Sequence, residues 1–178
     1  MVIRRADPSR DAAACAAIYA PYVTGGAISF EDIPPSTDEF AERISRITRT
    51  HPWFVEEQAG AVVGYAYASE HRERAAYRWA VDVAVYVDAD HHRQGVGRRL
   101  YDVLFTELRA QGFRAACAGI TLPNDASVGL HEALGFVPVG VYRNIGWKAG
   151  TWWDVGWWQL DFSPQSVDAP AEPSTPTP

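Results

Sequence analysis

The sequence predicts a single α+β domain built around a mixed sheet. Three observations predict it. Strand-like and helix-like runs follow one another irregularly: a strand, two helices, a run of strands, then strand, helix, strand, helix and two strands. The chain has 178 residues, which suits one domain with a sizeable core. Hydrophobic residues make up 47% and charged residues 21%, a balance typical of globular domains.

Each element has a local reason. Val2 to Arg5 reads as a short strand. Asp7-Pro8 starts a helix, with Asp as N-cap and Pro at the first helical position, running to about Tyr22. Thr24 to Pro35 is a loop. Ser36-Thr37-Asp38-Glu39 has capping-box form and opens a helix with Phe40, Ile44 and Ile47 on its inner face. Trp53–Glu57 and Ala61–Tyr67 flank Ala59-Gly60 as a hairpin. A charged connection from Glu70 to Arg74 leads into the longest strand pattern, Tyr77 to Val87. A glycine turn follows, then a helix from about Gly97 to Gln111 with Leu100, Val103, Leu104 and Leu108 as its apolar stripe. Gly112 closes that helix. Ala115–Leu122 is a strand, and Asn124 or Asp125 caps a helix through Leu134. Val137–Ile145 and Trp152–Phe162 are the last strands. The domain is expected to span residues 1–162, and the Pro-rich stretch 163–178 to be a flexible tail.

Net charge is −6 and the pI is near 5.3. Neither nucleic acid nor an anionic membrane is therefore expected as a partner, since both call for a basic face. Cys15 and Cys117 sit among alanines without metal-ligand spacing, so no metal is expected and both read as buried thiols. The N-terminus lacks a secretory apolar region and no run is long enough to span a bilayer, which points to the cytoplasm.

The chemistry centres on Val81-Asp82-Val83-Ala84-Val85-Tyr86-Val87, a linker, and His92-Arg93-Gln94-Gly95-Val96-Gly97-Arg98. A strand that runs through a glycine turn into a helix exposes backbone N–H groups to an anion. Arg93, Arg98 and Arg99 add positive charge. A plain tight turn is the simpler reading of Gly-x-Gly alone. A dinucleotide-binding reading fails because Leu100 stands where a third glycine is needed. Asp82 is conspicuous because an unpaired carboxylate in an apolar strand is costly. Alternation puts it on one face with Ala84 and Tyr86.

This loop resembles the acetyl-CoA loop of the GNAT acetyltransferases, with His92 where the pattern has Gln or Arg. Leu122-Pro123-Asn124-Asp125-x-Ser127-x-x-Leu130-His131-Glu132-Ala133-Leu134-Gly135-Phe136 resembles a later motif of the same superfamily. Arg74-Ala75-Ala76-Tyr77-x-Trp79 and Gly146-Trp147-Lys148-x-Gly150-x-Trp152-x-Asp154-Val155 narrow the likeness to the phosphinothricin and methionine sulfoximine N-acetyltransferases.

The resemblance implies a GNAT fold: a twisted, mostly antiparallel mixed sheet of about seven strands with about four helices and a splayed parallel pair. It implies acetyl-CoA as cosubstrate, with Arg93, Gln94, Gly95, Val96, Gly97 and Arg98 around its pyrophosphate. Val85, Tyr86 and Val87 would pair with the pantetheine arm, an amide near Val85 would serve the developing oxyanion, and Asn124 would hold the far side. Asp82, usually Glu in the family, is implied as the base, acting through water because it is shorter. His131 is implied to protonate the leaving thiol or to join a proton relay, with the base role open to it as the alternative to Asp82. Phe30, Arg74, Tyr77 and Arg78 are the implied acceptor pocket, with arginine suited to a carboxylate. The acceptor would be a small glutamate-like amino acid and the protein a homodimer. Two alternatives stand beside this: another amine, such as a polyamine, an aminoglycoside or a protein N-terminus, and a non-catalytic acyl-CoA sensor.

Overall fold

The computed structural model describes residues 1–162 and 170–176. Its elements are β1 (Val2–Arg5), α1 (Pro8–Thr24), α2 (Thr37–Ile47), β2 (Trp53–Gln58), β3 (Ala61–Glu70), β4 (Ala80–Val87), α3 (Val96–Gln111), β5 (Ala115–Leu122), α4 (Asp125–Ala133), β6 (Val137–Lys148) and β7 (Thr151–Asp161). The strands form one seven-stranded sheet in the order β1-β2-β3-β4-β5-β7-β6. All neighbours are antiparallel except β4 and β5. Among the described residues no helix is long and apolar enough to cross a membrane.

The caps explain the helix starts. Asp7 accepts from the amides of Ser9 and Arg10, and Ser36 and Glu39 close a reciprocal capping box. Asn124, rather than Asp125, caps α4 by accepting from Ser127 N. Ala59 and Gly60 both have positive φ, as a tight two-residue hairpin needs. Ala149 and Gly150 do the same between β6 and β7, so β6 runs on to Lys148 and β7 starts one residue early, at Thr151.

Two cores cover the two faces of the sheet. One places Leu100, Tyr101, Leu104, Phe105 and Leu108 of α3 against Val81, Val83, Ala116 and Ile120. The inner stripe of α3 therefore includes Tyr101 and Phe105, whereas Val103 packs only at its margin. The other core lies under α1 and α2, around Phe40, Ile44, Trp53 and Tyr65.

The strand expected from Tyr77 begins at Ala80 instead. Ala75 to Tyr77 form a 3-10 turn, with Tyr77 N bonded to the Arg74 carbonyl and Arg78 N to that of Ala75. The tail expectation falls outside the described residues at 163–169 and 177–178. Residues 170–176 lie against the domain: Ala171 O accepts from Trp79 Nε1 at 2.8 Å, and Ser174 N donates to Gln111 O at 2.8 Å.

The site is positioned by how little of β4 and β5 is paired. They match only at Ala80↔Ala115, Val81↔Ala116 and Asp82↔Cys117. Beyond that point β5 continues against β7 to Leu122 and Asp154. Val83 to Val87 have β3 on one side and an open wedge on the other.

Candidate active site

The wedge ends at the start of α3. Arg93 and Gly95 both have positive φ (60° and 78°), and Gly95 is the N-cap. No side chain caps this helix end, so its first amides remain available to an anion. Gly97 lets the turn lie close to its neighbours: a Cβ there would stand 3.2 Å from Leu130 and 3.7 Å from Val85. Arg93 and Arg98 are exposed and form no salt bridge among the described residues. Arg99 is not a free charge. It grips the fully buried Glu56 at 2.6 and 3.1 Å and donates to Gln94 O at 2.8 Å, bracing the loop from behind. The exposed Gln94 side chain bonds back to the same loop, donating to Asp90 O at 2.8 Å.

The three backbone positions expected to meet a pantetheine arm differ. Asp88 N–H donates to Val63 O, so alternation turns Tyr86 toward β3 and Val85 and Val87 toward the wedge. Val87 is already engaged, its carbonyl accepting from Tyr22 Oη at 2.6 Å and lying 3.0 Å from His92 Nε2. Tyr86 contributes its ring instead, edge-on to Tyr19 at 4.8 Å and to Tyr22 at 5.1 Å.

Asp82 stands where the wedge begins. Its side chain is 30% exposed, and Oδ1 accepts from His71 Nδ1 at 2.6 Å. Burial raises its pKa above the ordinary carboxylate value, opposed by the His71 hydrogen bond and the nearby Arg72 charge. His71, Asp82 and Cys117 bring ligand-type atoms within 4.8 Å of one another. Two ligands on one tetrahedral zinc stand roughly 3.3 Å apart, so the 2.6 Å gap fits a shared proton better than a metal. Burial pushes the Cys117 thiol up to about 11, which keeps it protonated and neutral.

Tyr77 joins this group, its ring edge-on to His71 at 5.8 Å. Trp157 closes the opposite side, edge-on to His71 at 6.1 Å, with Arg72 5.5 Å above its ring. Its buried Nε1 has no partner among the described residues. Gly119 accommodates this indole, which would lie 3.2 Å from a Cβ there. Ser69, the β3 partner of Asp82, lines a cavity of about 450 Å³ with Tyr67, Glu70 and Arg43.

The remaining implied pocket residues separate. Arg74 is exposed in the turn before Tyr77. Arg78 turns away: it donates to Ala75 O, pairs with Glu172 and lies over the Trp79 ring at 4.9 Å. Phe30 sits on β6, where Gly146 makes room for its ring. Lys148 fixes that loop by donating to the carbonyls of Val23, Ser29 and Glu31 at 2.6 to 2.8 Å.

His131 lies in the core between α3 and α4, only 4% exposed. Nδ1 is 2.8 Å from Ser127 O, a pure acceptor, so Nδ1 carries the proton. Nε2 then accepts from Tyr101 Oη at 3.1 Å. Burial lowers its pKa, which keeps the ring neutral. Both nitrogens are thus occupied within the core, and neither is available to a departing thiolate in this arrangement.

A family model described as an acetyltransferase (GNAT) domain matches residues 3–157. This chain belongs to the GNAT acetyltransferase family. It is 41% identical to a phosphinothricin N-acetyltransferase of Streptomyces viridochromogenes, over 93% of this chain and 90% of that one. It is 36% identical to an L-methionine sulfoximine/L-methionine sulfone acetyltransferase of Salmonella typhimurium, over 91% and 95%. Among solved structures, a GNAT phosphinothricin acetyltransferase from Sinorhizobium meliloti in complex with acetyl-CoA matches with a TM-score of 0.89 at 35% identity, covering 96% of this chain and 93% of that one. An acetyltransferase from Salmonella typhimurium with acetyl-CoA matches with a TM-score of 0.89 at 34% identity, over 95% and 98%.

The protein is therefore a GNAT N-acetyltransferase with acetyl-CoA as cosubstrate. Its residues fit that molecule: uncapped amides at α3 with Arg93 and Arg98 beside them suit a pyrophosphate, and the wedge offers Val85 an extended partner. Two residues beside Asp82 were not expected there, His71 and Arg72, because they lie in a charged connection that reads as solvated. The clue to His71 is the short Asp82, which leaves room for a ring.

Proposed function

We propose that this enzyme acetylates the α-amino group of a small glutamate-like amino acid by direct transfer from acetyl-CoA. Phosphinothricin, methionine sulfoximine and methionine sulfone are the proposed acceptors. The observation that carries the reading is Asp82 with its His71 partner at the mouth of the β4–β5 wedge. An α-amine has a pKa of about 8, so at neutral pH it must lose a proton before attack. A proton acceptor beside the wedge supplies that need. Arg74, exposed before Tyr77, suits the carboxylate of an amino acid. The relatives named for phosphinothricin and methionine sulfoximine support the same class.

The Val85 amide is proposed for the developing oxyanion, and Asn124, besides capping α4, for the far side of the cofactor. Phe30, held by the Lys148 clamp, is proposed as a pocket wall. His131 becomes a positioning residue that locks α4 to α3 through Tyr101. The protein is proposed to work as a homodimer.

Acetyl-CoA consumption measured with the three amino acids, a polyamine and an aminoglycoside tests the acceptor class. Turnover is expected with the amino acids. Turnover confined to the other amines contradicts it.

A further inference from the structure

The hydrogen bond between His71 and Asp82 fixes more than the position of a carboxylate. Oδ1 of Asp82 is an acceptor, so His71 Nδ1 carries the proton and Nε2 carries a lone pair. Nε2 bonds to no group among the described residues. The His71 side chain is 16% exposed. The ring is held on two sides by the edges of Tyr77 and Trp157.

We infer that His71 Nε2 is the atom that takes the proton from the substrate ammonium, and that Asp82 is the positioning residue that holds its tautomer. The inference rests on the reading that an amine is acetylated in this cleft. Asp82 is short, half-buried and already spends Oδ1 on His71. The imidazole extends its reach and presents an unoccupied lone pair. The balance closes. The ammonium gives one proton to Nε2, leaving a neutral amine and an imidazolium held against Asp82. The amine lone pair forms the N–C bond to the acetyl carbon while the C–S bond breaks, its electron pair leaving on sulfur. The second proton shed by nitrogen goes to that sulfur, and the first passes from Nε2 to water. No separate acid is required, in keeping with the occupied nitrogens of His131.

Four groups set the electrostatics around the ring. Asp82 of β4 supplies the carboxylate bonded to Nδ1, and Arg72 supplies a guanidinium nearby. Cys117 of β5 is a neutral thiol, pushed up to about 11 by burial, and the Tyr77 ring stands edge-on at 5.8 Å.

The test is kcat/KM for the acetylated amine from pH 6 to 9 in wild type, His71→Gln, His71→Ala and Asp82→Asn. A positioned general base contributes roughly 10²–10⁴-fold, so His71→Gln is expected to lose that factor at neutral pH. Its residual rate should climb with pH as free amine accumulates. Added imidazole should restore part of the His71→Ala activity and none of the Asp82→Asn activity. Wild-type kcat/KM and an unchanged pH profile in His71→Gln would overturn the inference. A second readout needs no substrate: long-range 1H–15N spectra of the wild-type histidine rings, with His71 assigned by its missing signals in His71→Gln. Protonated Nδ1 with bare Nε2 is expected, and the opposite tautomer overturns the inference. If the wild type acetylates none of the amines, the acceptor assignment falls, and the tautomer still decides for or against His71.

Discussion

At the residue scale, the fold gives His71 and His131 opposite surroundings. His131 occupies the position that the family resemblance marks for chemistry, but it lies in the core with both nitrogens bonded. His71 lies in a stretch that reads as a solvated turn and is held against Asp82. Motif position records where a residue falls along the chain. It does not record which groups a fold brings to meet it from 11 residues away, as His71 meets Asp82. The core placement of His131 has a pH consequence. Its pKa is lowered by burial from an ordinary value of about 6.5. The unfolded chain therefore binds a proton that the folded chain does not, and stability falls as pH drops below about 6.5 toward the folded value. This costs at most about 1.4 kcal/mol per pH unit in that window. His131→Gln removes the contribution, so the stability gap between wild type and variant should narrow from pH 7 to pH 5 in urea unfolding. A gap independent of pH contradicts the assignment.

At the element scale, the helix caps and tight turns were legible because they depend on neighbouring residues. Asp7-Pro8, the Ser36–Glu39 box and Ala59-Gly60 all act within a few residues of themselves. The start of β4 was not legible, because the Trp79 carbonyl is claimed by the Arg114 and Ala115 amides, far along the chain. The Gly146–Lys148 motif likewise acquires its reason only in the fold, where Gly146 admits Phe30 and Lys148 ties down three carbonyls. β6 raises a separate point. It is an edge strand, as β1 is at the other side, and it exposes Val137, Val139, Val141, Ile145 and Trp147. A long apolar edge strand calls for a partner. Sedimentation at micromolar concentration is expected to show a dimer, shifted toward monomer by Val139→Lys. A wild-type monomer under those conditions removes the homodimer proposal.

At the scale of the whole molecule, the α+β class and the order of the elements were readable, because hydrophobic periodicity is local. The splayed parallel pair came only with the family resemblance and is present as β4 and β5; the extent of their overlap, three residues, was not legible, because periodicity carries no information on register. That short overlap makes the site. It joins the uncapped amides of α3, the free edge of β4 and the His71–Asp82 pair into one line. A crystal structure with CoA and methionine sulfone bound tests this most directly. Pantetheine is expected in the wedge between β4 and β5, with the α-amino nitrogen within about 3.2 Å of His71 Nε2. An amine held away from His71 and Asp82, or CoA bound outside the wedge, would contradict it.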